Sequence, residues 1–274
     1  MEAIVRKWPL NQVQTAFGVG YAAVVIAYYL QARVAGWNSV AFMPCLGVAV
    51  SGMIIGAVLY PSRRTAAWLL LLTGQVFNLL GAGTAVAYLR INGSTPYPSA
   101  SDALELASYV FFVLGLGMLA KGGGFHVTAR GMAIAAVVTG LTAGLFSWPV
   151  LIHPYAISNA ISWFVKLVTI AYPSADVLLL FQVLVLALIV FAMRRFRTGT
   201  KISASFWLIA LGTIGVLASD TTFAYAVLHW NYSQPSDVDA GWFIWFGAWA
   251  LAFLGPEGDL SSKTWYLRAK AKKV

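Results

Sequence analysis

Four aspartates interrupt or border the long apolar stretches of this chain: Asp102, Asp176, Asp220 and Asp239. At membrane depth, an ionisable side chain costs about 2.5–3.5 kcal/mol on insertion scales and usually faces the protein interior or a water-filled cavity. Side chains of this kind commonly mark substrate or ion sites. These aspartates and Trp242 are therefore the candidate ligand-binding residues.

Three of the aspartates end a recurring pattern of proline, small polar residues and aspartate. Its copies are residues 98–102, 173–176 and 235–239, with proline-to-aspartate spacings of four, three and four. Proline stops the incoming segment, and serine or aspartate can cap the next helix. In the first and third copies, a serine three residues before the aspartate predicts a capping box. Helix capping, which the helix dipole favours, and ligand or ion binding both fit the pattern, and the two roles are compatible.

Asp220 differs because it lies in the middle of an apolar stretch, where no helix end is expected. We predict that it belongs to a functional site or a buried polar network, with a water-lined position as the alternative. Three polar residues are its candidate partners: Gln75, Asn78 and Gln182. Trp242 shares a helix face with Trp245 and Trp249, which indicates either packing and interface anchoring or the aromatic wall of an apolar pocket.

The other reactive side chains indicate no catalytic reaction. Glu105 lies one turn after Asp102, so the pair could be an ion or amine site or simply solvated helix-start acids. His153 and His229 could ligate haem or a metal, but the sequence does not fix their separation. The single cysteine, Cys45, is predicted to be an apolar core residue. Since no phosphate loop, zinc motif or nucleophile elbow is present, we predict a non-enzymatic protein with no catalytic residue, metal or cofactor.

Composition excludes an ordinary soluble domain. Hydrophobic residues make up 60% of the 274-residue chain and charged residues only 10%, whereas soluble domains carry about 25% charged residues. The mean hydropathy is +0.77. The net charge of +9 does not indicate nucleic-acid binding, because the basic residues stand singly or in small groups between apolar stretches and fit membrane topology.

Eight apolar stretches predict an all-α integral membrane protein with about eight transmembrane helices, since about 20 helical residues cross a bilayer. They cover about residues 15–31, 40–60, 65–89, 102–120, 131–152, 172–191, 206–230 and 241–254. The sixth is predicted to start at a proline turn just before Asp176. Ahead of it, residues 157–170 combine apolar side chains with Lys166, which predicts a separate short helix in the membrane interface.

The basic residues predict the orientation of these helices. They concentrate before the first span and after the second, fourth and sixth, so the positive-inside rule places both termini in the cytoplasm. If the first stretch lay on the surface, seven spans would remain. We predict a cytoplasmic N-terminus (1–14), a transmembrane domain (15–257) and a basic cytoplasmic tail (258–274), in a bacterial inner (plasma) membrane. Its last six spans form three repeated hairpins, at about 65–120, 131–193 and 206–254.

The chain resembles the polytopic N-terminal membrane domains of actinobacterial GGDEF/EAL cyclic di-GMP signalling proteins and related histidine kinases, over about residues 100–257. The resemblance is carried by Tyr172-Pro173-Ser174-Ala175-Asp176 before a leucine-rich span, the basic break from Arg194 to Lys201, Ser219-Asp220 in mid-span, and Asp239-Ala240-Gly241-Trp242. In that family the domain looks like a sensory input, which implies a sensor role here. Cyclase activity is not implied, because the catalytic residues of those enzymes do not appear.

Three functional hypotheses remain open. The first is a non-enzymatic sensor or regulatory domain that binds a small or lipid-like ligand from the extracytoplasmic side and signals to a cytoplasmic effector. The second is an ion-coupled transporter or channel, which inverted repeats and broken helices would favour. The third is a structural subunit of a membrane complex. The expected partners are membrane lipids, an unknown small ligand, a cytoplasmic effector and a second copy in a homodimer, with no nucleic acid.

Overall fold

The computed structural model describes residues 10–35, 38–60, 66–122, 128–159, 161–195, 202–229 and 236–255, and no strand occurs in these ranges. The helices are α1 (Leu10–Ala35), α2 (Asn38–Leu59), α3 (Ala66–Asn92), α4 (Ala100–Gly122), α5 (Ala129–Thr142), α6 (His153–Ile157), α7 (Trp163–Arg195), α8 (Ile202–His229) and α9 (Asp239–Phe253). A π-helical stretch, Ala143–Ile152, joins α5 to α6. The chain is thus built from helices and short connections.

Seven helical segments in the described ranges are long and apolar enough to cross a membrane. They lie in α1, α2, α3, α4, the path from α5 to α6, α7 and α8. This agrees with the predicted all-α, multi-pass membrane protein. Most of the predicted N-terminal segment and the whole basic tail lie outside the described residues.

The eighth predicted span corresponds to α9, which occupies the centre of the bundle. It has 15 residues, a length of about 22 Å at 1.5 Å per residue. Ten of the 15 are buried, as expected for a helix that is apolar all round. It packs against α8, α2 and α1, so α9 is covered by other helices over most of its surface.

Glycines allow the paired helices to approach closely. A Cβ added at Gly212 of α8 would lie 2.5 Å from Trp249 Cδ1 of α9. A Cβ added at Gly81 of α3 would lie 2.7 Å from Glu105 Cγ of α4. Small residues at contacts are a common feature of membrane helix packing. The pairs α3–α4 and α8–α9 accordingly pack along their lengths, as adjacent helices of a hairpin should.

The sixth predicted span differs from its prediction. Residues 163–195 form one continuous helix, α7, with Pro173 inside it. The predicted separate interfacial helix over 157–170 and the predicted proline turn before Asp176 are therefore wrong. Neighbouring side chains can compensate for proline in membrane helices, and Ser174 Oγ donates to Ile170 O at 2.7 Å next to the proline. Asp176 consequently lies well inside a helix and does not cap one.

Candidate functional site

One tyrosine hydroxyl joins two of the predicted aspartates from different helices. Tyr109 lies on α4, and its hydroxyl oxygen is 2.9 Å from Asp176 Oδ1 of α7 and 2.7 Å from Asp220 Oδ2 of α8. Tyr109 and Asp176 are each 8% exposed, whereas Asp220 is partly buried. Three helices that are distant in sequence therefore meet at a single hydroxyl group.

Trp242 completes the coordination of Asp220. Its indole Nε1 donates to Asp220 Oδ1 at 2.6 Å, so both carboxyl oxygens of Asp220 have a partner. Nearby, Ser219 Oγ donates to the carbonyl of Val238, just ahead of α9. A carboxyl group at membrane depth is stabilised by such direct partners, and α9 is thereby tied to α8 beside the site.

A second tyrosine hydroxyl joins two acidic side chains next to this network. Tyr172 of α7 lies 3.2 Å from Asp102 Oδ1 and 3.1 Å from Glu105 Oε2, both of α4. Ser101 Oγ bonds the other oxygen of Glu105 at 3.2 Å. The rings of Tyr109 and Tyr172 meet edge to face, with centroids 6.2 Å apart. The two networks are therefore neighbours, and we call Asp102, Glu105, Asp176, Asp220, Tyr109 and Tyr172 the acidic cluster.

If all its carboxyl groups are ionised, the acidic cluster has fewer hydrogen-bond donors than its close oxygen–oxygen contacts require. A tyrosine hydroxyl carries one hydrogen, and an ionised carboxylate is an acceptor only. Tyr109 can therefore donate to Asp176 or to Asp220, but not fully to both. When Tyr109 donates to one of the two carboxyl groups, its contact with the remaining one is a good hydrogen bond only if that remaining group carries a proton. The same count of hydrogens applies to Tyr172 between Asp102 and Glu105.

The described residues contain no group of three histidine, cysteine, aspartate or glutamate side chains arranged for a metal ion. Lys166 of α7 donates to the carbonyl of Ala156 at 3.1 Å. The hydrogen bond of Lys166 is therefore made to α6 and not to the acidic cluster.

The capping boxes predicted for the first and third copies of the pattern are confirmed. Ser99 N donates to Asp102 Oδ2 at 2.7 Å, and Ser236 N donates to Asp239 Oδ2 at 2.9 Å. In both copies the serine Oγ accepts from the backbone N–H two residues later, at 3.2 Å and 3.1 Å. Asp239 is fully buried and also accepts from Tyr28 of α1 at 2.6 Å. These two aspartates therefore carry structural roles.

The five predicted site residues separate into three positions. Asp176, Asp220 and Trp242 share one network, Asp102 lies in the adjoining one, and Asp239 is bonded elsewhere, to Tyr28 and its own capping box. The tryptophans that follow Trp242 along α9 are packing residues. Trp245 and Trp249 are buried at 4% and 0% exposure, so only Trp242 reaches the site.

The partners predicted for Asp220 are wrong, and the two tyrosines of the acidic cluster were not predicted from the sequence. Gln182 Nε2 donates to Val113 O at 2.7 Å, and the Gln75 amide has no partner among the described residues. The groups that bond Asp220 are Tyr109 and Trp242. A signal was present, because a tyrosine inside an apolar helix needs a partner for its hydroxyl. Tyr109 and Tyr172 both meet that description.

Comparison of the chain with protein-family models, with curated proteins and with solved structures finds no match in any of the three.

Proposed function

We propose that this chain is a non-enzymatic sensor or regulatory domain of a cell membrane, and that its acidic cluster binds a proton or small cation from the extracytoplasmic side. The observation that carries the proposal is the Tyr109 hydroxyl, which contacts carboxyl groups of two helices with one hydrogen. A bound proton needs no additional space, and a small cation would neutralise the same carboxyl groups. The basic cytoplasmic segments would pass the change to an effector.

The bound proton is coupled to helix packing in this proposal. The two carboxyl oxygens around Tyr109 lie within about 6 Å of each other, where two full negative charges repel by about 3 kcal/mol at an effective dielectric constant of about 20. Asp176 and Asp220 belong to α7 and α8, which pack on each other. Loss of the proton would therefore push these helices apart, and binding would draw them together.

The sensor role also draws on the resemblance to input domains of cyclic di-GMP signalling proteins. Asp176, Asp220 and Trp242, which help to carry that resemblance, are the residues that the first network brings together. The ligand-responsive part of such a domain would be expected to involve them. The signalling partner and the bacterial inner membrane belong to the same proposal.

Infrared difference spectroscopy on the full chain in lipid nanodiscs tests the proposal. We expect absorption from protonated carboxyl groups to disappear as the pH is raised, and the part that belongs to the Asp176–Asp220 pair to be absent from Asp220→Asn. The matched control is Asp237→Asn, because Asp237 is exposed at the start of α9 and should leave the band unchanged. A spectrum in which the wild-type protein shows no such band would overturn the proposal.

A proton-coupled transporter is the second candidate, favoured by the same carboxyl pair. Ionisable residues within membrane spans recur in proton relays of pumps and transporters. Reconstitution into liposomes with a pH gradient separates the two functions, since a transporter would carry protons across the bilayer and Asp220→Asn would abolish the flux. A sensor would show the pH-dependent infrared band with no flux.

A further inference from the structure

Two buried polar groups in the centre of the bundle have no hydrogen-bond partner among the described residues. Gln75 of α3 is 1% exposed, and neither its Nε2 nor its Oε1 is bonded. Trp245 of α9 is 4% exposed, and its indole Nε1 is also unbonded. An unpaired buried donor or acceptor costs roughly 1–3 kcal/mol. Three unpaired polar atoms in one apolar core therefore require an explanation.

The two side chains lie at the same depth of the bundle. Trp68 of α3 packs on Phe253 of α9, with ring centroids 4.8 Å apart. The two helices run in opposite directions, because α3 is antiparallel to α4 and α4 runs parallel to α9. Gln75 lies about 10 Å along α3 from Trp68, and Trp245 lies about 12 Å along α9 from Phe253, at 1.5 Å per residue. Measured from the Trp68–Phe253 contact, Gln75 and Trp245 therefore lie at about the same depth in the bundle.

The ring of Phe112 on α4 lies beside both positions. Its centroid is 5.3 Å from that of Trp245, edge to face. A Cβ added at Gly74, the neighbour of Gln75, would lie 2.5 Å from Phe112 Cδ1. Phe112 therefore spans the distance between the two helices at this level. Trp245 and Gly74, the chain neighbour of Gln75, therefore both lie against the ring of Phe112.

We propose that Gln75 and Trp245 hold buried water, as an internal hydration site of the helix bundle. The indole N–H is a donor only, whereas the amide offers a donor and an acceptor. Water can accept from Trp245 and Gln75 Nε2 and donate to Gln75 Oε1, which satisfies all three atoms. Buried waters typically make about three hydrogen bonds to polar groups of this kind. Without bound water, methionine at position 75 and phenylalanine at position 245 would fill an apolar core equally well.

The hydration site lies one helical turn from the acidic cluster. Tyr109 and Phe112 are three residues apart on α4, and Trp242 and Trp245 are three residues apart on α9. Residues three apart are neighbours on a helix surface. Water at Gln75 would thus extend the polar interior from the cluster towards the middle of the bundle. The site rests on its own contacts and does not depend on the proposed sensor function.

Radiolytic hydroxyl-radical labelling of the full wild-type chain in nanodiscs tests the site without any substitution. Radicals form from water, so a buried side chain is labelled where water is bound beside it. We expect Trp245 to be labelled severalfold more than Trp249. Trp249 is the matched control, because it is fully buried on the same helix and its Nε1 donates to Ile209 O at 3.1 Å. Equal, low labelling of the two tryptophans would overturn the proposal.

A second measurement tests the part played by Gln75. Nuclear magnetic resonance detects transfer between water and an indole proton, and Trp245→Phe assigns the Trp245 signal. We expect a water cross-peak at Trp245 that Trp249 lacks and that is lost in Gln75→Met, which keeps the volume but removes the amide. A water cross-peak at Trp245 that persists in Gln75→Met would show that Gln75 does not help to bind this water.

Discussion

At the scale of single residues, the main feature of this protein is a shortage of hydrogen-bond donors. Tyr109 and Tyr172 each face two carboxyl groups with one hydrogen. Trp242 supplies a donor to Asp220 only. The protonation of the carboxyl groups, and not merely their position, therefore decides how well the cluster is bonded. Two predictions belong at this scale.

Replacing Tyr109 with phenylalanine should destabilise the fold. The substitution removes the hydroxyl between Asp176 and Asp220 and leaves buried Asp176 without its hydrogen-bond partner, which we expect to cost roughly 1–3 kcal/mol. Thermal unfolding in detergent measures the loss. Tyr155→Phe is the control: Tyr155 is half-buried beyond the π-helical stretch, and a substitution away from such a network should change stability by no more than about 0.5 kcal/mol. Equal effects would contradict the assigned role.

The stability of the folded chain should fall as the pH rises. If the cluster holds a shared proton, the folded chain binds more protons than the unfolded chain, in which aspartates are ionised near neutral pH. By linkage, that stabilisation is present under acidic conditions and is lost as the shared proton leaves, with a slope of at most about 1.4 kcal/mol per pH unit for one proton. Unfolding temperatures between about pH 5 and about pH 8 measure the slope. Asp220→Asn should reduce this slope and Asp237→Asn should not; an unchanged slope in Asp220→Asn would count against a proton shared by Asp176 and Asp220.

At the scale of helices, close approach at small residues positions the site. The pair α8–α9 carries Asp220 and Trp242 on facing sides, and Gly212 permits the contact with Trp249. Helix α7 brings Asp176 to the same place as a continuous helix with a proline inside. The cluster therefore depends on how tightly neighbouring helices pack.

Gly212→Ala should weaken the α8–α9 contact. Its new Cβ would meet Trp249 Cδ1 at 2.5 Å, and overpacking of this kind costs roughly 1–3 kcal/mol. The matched control is Gly140→Ala on α5, where nothing lies within 4 Å of the added Cβ and alanine should gain roughly 0.5–1 kcal/mol as a better helix former. Thermal unfolding of both variants measures the difference. A loss at Gly140 as large as at Gly212 would show that close packing is not the cause.

At the scale of the whole molecule, a bundle of membrane-spanning helices encloses a short, buried central helix. Seven helical segments are long and apolar enough to cross a membrane, and the 15-residue α9 packs among them. The start of α9 and the start of α4 both lie beside the acidic cluster. The orientation in the membrane therefore decides which compartment the cluster faces.

Cysteine labelling should place the acidic cluster on the outer side. Ser94→Cys, in the exposed connection between α3 and α4, should react with a membrane-impermeant maleimide in intact cells. Lys121→Cys, at the other end of α4, should react only after permeabilisation, as the positive-inside rule requires. Cys45 is fully buried, so background labelling of the natural thiol should be low. The reverse labelling pattern would invert the topology and the direction of sensing.

The sequence by itself determined the class of the protein and the local structure of two helix starts. The apolar stretches predicted membrane helices because about 20 residues must cover the bilayer, and the serine–aspartate spacing predicted the capping boxes because both partners lie within one turn. It also selected Asp220 as a member of a functional site or buried polar network, since a charge within an apolar stretch is conspicuous. These features depend on residues close together in the chain.

Only the tertiary structure decided which groups meet. Tyr109 is 67 residues from Asp176 and 111 from Asp220, and no local pattern indicates such pairings. The same limit explains the error at Pro173, because neighbouring helices and Ser174 determine whether a proline ends a membrane helix or lies within it. Partners for buried polar groups are chosen by helix packing, so the Tyr109 hydroxyl between two carboxyl groups and the unpaired Gln75 became visible only in three dimensions.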